Sequence, residues 1–331
     1  MARKSVALAA AFACLAFILA SGAAGGNGGI APPDSATDSG ASITTTYWII
    51  FAVCAVIFVL VEGALLYFVF RFRRRPGTSP DAEGPQIHGN TRLEILWTTV
   101  PVIILVGIAV ATFLSVGTVN ASPSKGEAAL TVRVESHQFY WQYEYPNGVV
   151  SLDILRIPVG QTVRLELTSP DVAHSWWVPE LTGKRDAIPG RVNILNFKAN
   201  RTGAFEGQCA EFCGIQHAVM RTTVEVMEPA AFASWLDAEG TGQADGTSSL
   251  GKDTFEAACA KCHGFKGEGD IGPSIVGKVT DRKGLEPLLL EGQDTSLSGY
   301  MPPVGIGWPD RQIDALVEYV TTSPDLTGAG G

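Results

Sequence analysis

The sequence predicts a membrane-anchored chain of three folded modules: a two-helix transmembrane hairpin, a β-sandwich and a small all-α domain. Three observations carry this reading. The apolar runs Tyr47–Phe70 and Leu93–Val116 each reach the roughly 20 residues that a bilayer-spanning helix needs. Between residues 128 and 228, apolar and polar residues alternate with the period of half-buried strands. Beyond a Gly-, Ser- and Thr-rich stretch, helix-like segments surround Cys259-Ala-Lys-Cys262-His263.

Composition agrees. A length of 331 residues suggests about two domains, and 46% hydrophobic with only 17% charged residues fits membrane spans joined to soluble modules. The net charge of −9 argues against a nucleic-acid partner.

In chain order, residues 1–24 read as a secretory signal peptide. Arg3 and Lys4 precede an apolar stretch, small residues follow, and Cys14 lies within the apolar part as a packing residue. Residues 25–45 are expected to be a flexible linker. The hairpin is placed at 46–118. Tyr47 and Trp48 open its first span at the interface, and Arg71, Arg73, Arg74 and Arg75 close it on the cytoplasmic side. Glu62 lies inside this span, where an ionisable group faces protein or water, and no role is assigned to it. His88 in the connecting loop reads as exposed. Pro101 lies in the second span, where neighbouring helices or water can accommodate it. This topology puts everything after residue 118 outside the cytoplasm, on the outer face of a multi-pass cell-membrane protein.

Residues 119–236 form the β-domain. Leu130–Glu135, Val163–Leu167 and Val192–Phe197 alternate as strands, Pro146-Asn147-Gly148 is a turn, and Val219–Val226 is expected to close the sheet. Residues 237–249 are expected to be a second linker, and 250–331 the helical domain.

The chemistry concentrates in Cys209-Ala-Glu-Phe-Cys213-Gly-Ile-Gln-His217-Ala-Val-Met220. Two thiols, an imidazole and a thioether within one loop select a soft metal, and imidazole suits copper. A single-cysteine copper site is mononuclear, whereas two bridging thiolates can hold two ions that share one electron. His174, in His174-Ser-Trp-Trp, supplies the second imidazole that such a pair requires. The bland alternative is a disulfide beside a surface histidine. Separately, C-x-x-C-H is a c-type haem attachment sequence: two thiols add to the haem vinyls and His263 faces the iron. A zinc or redox C-x-x-C is the alternative. Cys54, in the first span, belongs to neither set.

The Cys209–Met220 loop resembles the binuclear CuA loop of cytochrome c oxidase subunit II. The resemblance implies a cupredoxin-like sandwich with His174, Cys209, Cys213, His217, Met220 and the Glu211 backbone carbonyl around two copper ions. It implies further that the Glu211 side chain shares a Mg²⁺ ion with subunit I. Residues 250–331 resemble a small class I cytochrome c, with Cys259, Cys262 and His263 holding covalent haem c and Met301 as second axial ligand. Glu94-Ile-Leu-Trp-Thr-Thr-Val-Pro101 resembles the start of the family's second helix, where the Glu stands at the mouth of a proton path; capping of the helix N-terminus is the alternative role of Glu94.

Gly183-Lys-Arg-Asp-Ala-Ile-Pro-Gly-Arg191 resembles the loop facing subunit I. His137-Gln-Phe-Tyr-Trp-Gln-Tyr-Glu-Tyr145 resembles the aromatic cluster over the copper site. There the family's electron-accepting Trp is replaced by Phe139, which leaves Phe139, Tyr140 and Trp141 as candidates. His137 matches no ligand and reads as packed or hydrogen-bonded.

The resemblance as a whole is to the caa3 type, an oxidase with a fused cytochrome c. It implies an electron-input subunit that passes electrons from its haem c or from a cytochrome c donor through CuA to subunit I. There oxygen is reduced to water and protons are pumped. Subunits I and III, a cytochrome c or cytochrome bc complex, and the membrane are the implied partners. With five histidines, three of them assigned, the chain cannot itself build an oxygen-reducing site. A copper-delivery module needs neither the haem motif nor the Glu94 stretch. A nitrous oxide reductase needs more histidines, and a quinol oxidase subunit lacks the copper ligands.

Overall fold

The structure, a computed structural model, describes residues 31–73, 77, 86, 88–119, 128–295 and 299–328. The expected signal peptide, Cys14, Arg74 and Arg75 lie outside these residues.

Two helices, α1 (Asp38–Phe72) and α2 (Thr91–Val119), are long and apolar enough to cross a membrane. Most of their large side chains, from Val56 to Phe72 and from Leu93 to Val116, are exposed within this chain, as lipid- or partner-facing surfaces are. The Thr46 hydroxyl donates to Ser115 Oγ at 3.3 Å, joining the start of one helix to the end of the other as a hairpin requires. Pro101 lies inside α2 without ending it. His88 is exposed, as expected.

The first expected linker is corrected. Helix α1 already begins at Asp38, and the residues just before it are pinned to the β-domain. Ala36 N donates to Glu180 O at 2.8 Å, Asn200 N donates to Ala36 O at 2.9 Å, and the Thr37 hydroxyl bonds the Leu181 carbonyl. Backbone bonding and burial of Ala36 and Thr37 override a composition that alone reads as flexible.

The β-domain is a sandwich of two five-stranded sheets. Its strands are β1 (Leu130–His137), β2 (Tyr140–Glu144), β3 (Val150–Leu152), β4 (Ile154–Pro158) and β5 (Thr162–Thr168). They continue with β6 (His174–Trp177), β7 (Arg185–Ala187), β8 (Asn193–Lys198), β9 (Gly203–Cys209) and β10 (Arg221–Met227). One sheet runs β3-β2-β1-β5-β8 and the other β4-β10-β9-β6-β7. Val132, Val134, Leu165, Leu167, Phe205 and Val224 fill the space between them. The Gly148 turn forms where expected, with Gly148 N bonded to Tyr145 O at 2.8 Å. Strand β10 does not close its sheet: it lies inside it, paired parallel with β4 on one edge and antiparallel with β9 on the other.

The second expected linker is mostly helix α3 (Pro229–Asp245), so the boundary at 236 falls inside an element. Pro229 starts it, and Gly246, left-handed at φ 76°, ends it. Phe232 packs tilted and Trp235 edge-on against Tyr145, and the Gln243 side chain donates to Val150 O at 2.7 Å and accepts from Val150 N at 3.0 Å. Gln243 therefore satisfies the open edge of β3, an edge that would otherwise stay unpaired.

The C-terminal module is helical. Helix α4 (Leu250–Thr254) passes through a wider turn, Phe255–Cys259, into α5 (Ala260–His263). Then come α6 (Arg282–Glu291), the short strands β11 (Gln293–Thr295) and β12 (Gly299–Met301), α7 (Asp310–Thr322) and α8 (Pro324–Thr327). Its core of Leu250, Phe255, Leu289, Trp308, Leu316 and Val320 is continuous with Tyr140, Val150 and Leu152 on the outer face of the sandwich.

Candidate metal centre

The predicted ligands come from two adjacent strands and one loop. His174 opens β6 and Cys209 ends β9, and these strands pair with Trp176 opposite Cys209. Between β9 and β10 the chain loops through Cys213, turns at His217–Val219 and returns at Met220, whose carbonyl accepts Cys209 N at 3.0 Å. Gly214 has φ 132°, and a Cβ there would lie 2.9 Å from Gln138 Nε2 and 3.0 Å from the Phe139 ring. A glycine is thus what lets the loop lie flat on the aromatic cluster. Gln138 Nε2 also donates to Cys213 O at 2.6 Å.

Around this loop the donor atoms converge. The two sulfurs stand 3.8 Å apart as free thiols. His174 Nδ1 is 3.9 Å from Cys209 Sγ, and His217 Nδ1 is 3.5 Å from Cys213 Sγ. Met220 Sδ is 3.8 Å from Cys213 Sγ, and the Glu211 carbonyl is 3.2 Å from Cys209 Sγ. All six groups named from the sequence are brought together, and His174, Cys209 and Cys213 place their ligand atoms within 4.8 Å of one another. The set could hold a soft metal without rearranging the fold.

The electrostatics favour such a metal. His174 Nε2 is held by Asp171 Oδ1 at 2.9 Å, which fixes the ring and leaves Nδ1 facing the thiols. Burial works to lower the His174 pKa, but its bonds to Asp171 and Cys209 outweigh that and raise it. Burial works to raise the Asp171 carboxyl, and the His174 bond brings it below the usual range. The hydrogen bond from Cys213 pulls the Cys209 thiol far below its ordinary value, with His174 and the Glu211 backbone assisting; Cys213 is pushed up by the same bond.

Sequence reasoning named His174 and missed Asp171, the residue that orients it. The spacing Asp171-Val-Ala-His174 held the signal, but only the turn between β5 and β6 brings the two side chains together.

Phe139 and Trp141 pack beside this site while Tyr140 faces the other side of the sheet, and all three are shut from solvent, at 6%, 0% and 0% exposure for Phe139, Tyr140 and Trp141. The Trp141 ring meets His174 edge-on at 6.2 Å. Tyr140 is covered by the helical module: its hydroxyl donates to Val304 O at 2.6 Å and accepts from Trp308 Nε1 at 2.7 Å. His137 is packed, as expected, stacking on Tyr140 at 4.7 Å.

In the second motif, His263 is buried and its Nδ1 contacts Pro273 O at 2.7 Å, which leaves Nε2 for an iron. Gly272 makes the approach possible, since a Cβ there would sit 2.9 Å from the imidazole. Met301 ends β12 and packs half-buried against the module's core. These residues fit a c-type haem. The Glu211 carboxylate is exposed, 3.6 Å from Lys184 Nζ. Glu94 accepts from Asn90 N at 3.1 Å while Asn90 Oδ1 accepts from Leu93 N at 3.2 Å, so it caps the start of α2.

Three family descriptions match the chain. They are the transmembrane domain of cytochrome c oxidase subunit II over residues 26–114, the periplasmic domain of that subunit over 150–227, and subunit III of the cbb3-type cytochrome c oxidase over 247–320. Cytochrome c oxidase subunit 2 of Alkalihalophilus pseudofirmus is 33% identical over 291 residues, covering 81% of this chain and 83% of that protein. The chain belongs to the cytochrome c oxidase subunit II family. The same subunit of Cereibacter sphaeroides is 34% identical over 236 residues, covering 59% of this chain and 76% of that protein. The crystal structure of the periplasmic domain of subunit II of Bradyrhizobium japonicum cytochrome oxidase is 35% identical, with a TM-score of 0.33, covering 34% of this chain and 95% of that one.

Subunit II is a membrane-anchored part of a haem-copper oxidase, here with two transmembrane helices, a cupredoxin-like periplasmic sandwich and a C-terminal cytochrome c domain. It is the subunit through which electrons reach the oxidase, and its two soluble modules imply copper and haem.

Proposed function

We propose that this subunit II is of the caa3 type, carrying its own haem c as donor to a binuclear CuA centre. The observation that carries the proposal is the convergence of four further donor groups on two free thiols, with the C-x-x-C-H turn held against the same domain. His174, Cys209, Cys213, His217, Met220 and the Glu211 carbonyl would hold two copper ions. Cys259, Cys262, His263 and Met301 would hold covalent haem c. When bound, the two groups supply one-electron redox chemistry, and Met/His ligation raises the haem potential for delivery to copper.

The chain's own residues supply geometry. Asp171 fixes the His174 ring, and Pro273 O fixes His263. Strand β9 carries Cys209 and its neighbour β6 carries His174, so backbone pairing would hold these two donors in place as charge changes. Phe139 lies against Gly214 of the loop and Trp141 against His174, and both would keep water from that side of the copper site.

Further parts of the reading follow the family. The Glu211 carboxylate would share a Mg²⁺ with subunit I, surrendering the weak, exposed pair with Lys184. Glu94 would stand at a proton-uptake mouth in addition to capping its helix. Subunits I and III would be the membrane partners, and a cytochrome c or cytochrome bc complex the electron source. The soluble modules would face outward from the cell membrane.

A metal and haem assay with absorption and electron paramagnetic resonance spectra tests the core of this. Two coppers with a delocalised mixed-valence signal and one covalent haem per chain are expected. A mononuclear copper spectrum would refute the binuclear assignment.

A further inference from the structure

The two residues between the haem-attachment cysteines have no duty in haem attachment, yet Lys261 reaches out of its own module. Its Nζ donates to Phe139 O at 3.0 Å and to Asp153 Oδ2 at 2.6 Å. Its carbonyl accepts from Gln216 Nε2 at 2.9 Å. Gln216 immediately precedes His217 in the copper loop, and Phe139 is the first residue of the aromatic cluster. One residue of the haem turn is therefore tied at three points to the copper domain.

The anchor is itself fixed. Asp153 takes a left-handed backbone at φ 55°, and its other carboxylate oxygen accepts Trp141 N at 2.8 Å. The Lys261 and Asp153 side chains are only 18% and 25% exposed, so solvent screens this pair less than a surface pair. Removing either partner leaves a poorly solvated charge behind. Other bonds hold the module elsewhere: Trp308 to Tyr140, Gln312 to Gln142 at 3.1 Å, and Arg311 to the Gly148 carbonyl. Loss of Lys261 would loosen the haem turn without undocking the module.

We infer that Lys261 and Gln216 are positioning residues that clamp the haem-attachment turn onto the copper loop, setting the rate of electron transfer between the two centres. The inference rests on the proposed reading that haem c donates to CuA within this chain. The transfer moves one electron, oxidising the haem iron and reducing the copper pair, with no bond formed or broken. What the clamp supplies is a fixed separation and a hydrogen-bonded path from Cys262 through the Lys261 carbonyl and Gln216 to His217.

The test uses the full chain loaded with copper and haem, comparing wild type with Lys261→Met, Gln216→Leu and Lys261→Arg. An electron is injected photochemically into the haem, and haem oxidation and copper reduction are followed optically. Amide hydrogen exchange is measured over 259–264 and 214–218, alongside copper and haem spectra and potentials.

Lys261→Met and Gln216→Leu should each slow transfer about tenfold, since small misplacements are costly where geometry sets a rate. Exchange should rise in both stretches together, spectra and potentials should stay unchanged, and Lys261→Arg should recover part of the rate. Wild-type rates and wild-type exchange in both Lys261→Met and Gln216→Leu would overturn the clamp. Should Lys261→Met fail to fold, Gln216→Leu and Lys261→Arg decide the matter. No internal transfer in wild type would instead sink the functional reading, and unchanged exchange in the variants would then still count against the clamp by itself.

Discussion

The molecule carries two pairs of cysteines that are opposite in character. Cys209 and Cys213 sit where two paired strands and a loop converge, facing an imidazole each, and the bonds to Cys213 and His174 pull the Cys209 thiol well below its ordinary value. Cys259 and Cys262 sit on a helical turn where burial raises both thiols, Cys259 to about 12. A metal ligand must be a thiolate; the fold favours that form at Cys209, whereas Cys213 would give up its proton only as a metal binds. A thioether carries no charge, so the haem turn loses nothing by burying its sulfurs. Burial alone does not decide what a buried cysteine is for: the neighbours that stabilise or penalise its charge do.

The sharpest way to break this contrast is to remove each pair in turn. Cys209→Ser should abolish the copper resonance signal while leaving covalent haem on a denaturing gel. Replacing both Cys259 and Cys262 by Ser should do the reverse. Loss of both cofactors in either variant would show that the pairs are not independent.

Next, Asp171→Asn should weaken copper affinity by about 10–100-fold in a competition titration, because it removes the carboxylate that orients His174. Haem content should not change. An unaltered copper affinity would mean that strand pairing alone positions the ring.

Trp308→Phe removes one bond across the junction between modules. It should cost about 1 kcal/mol of stability, read as a lower unfolding midpoint of the full chain. The copper spectrum should be unaffected, since the copper loop is built within the sandwich.

The smallest effect belongs to the surface of the haem module. The bond from Arg282 holds the Glu286 carboxyl below the usual range, slight burial opposing. A depressed folded-state pKa adds stability above the unfolded carboxylate value and loses it as pH falls through the folded one. The acid side of the module's melting profile should therefore flatten in Arg282→Gln, with neutral-pH melting nearly unchanged.

The donor set of the proposed copper site was almost wholly legible in the sequence. Cys209, Glu211, Cys213, His217 and Met220 fall within twelve residues, so local spacing nearly dictates their convergence. The strands with clean alternation were legible too: β1, β5 and β8 lie where the pattern put them. Helix α3 was not, because Gly240, Thr241 and Gly242 read as linker; its helix is stabilised by Tyr145 and Val150, residues some ninety positions away. The short strands β3, β6 and β7 have too few residues to show a period.

By itself the sequence determined the membrane spans, the two sulfur motifs and the kind of chemistry each can hold, because those depend on apolar length and on donor types a few residues apart. Tertiary structure alone decided that Asp171 orients His174, that the helical module covers Tyr140, and that Lys261 reaches Asp153 and Phe139. Those contacts join residues far apart in the chain, or wait on a turn to face them. Their geometry exists only once burial of the shared apolar surface has fixed one module against the other.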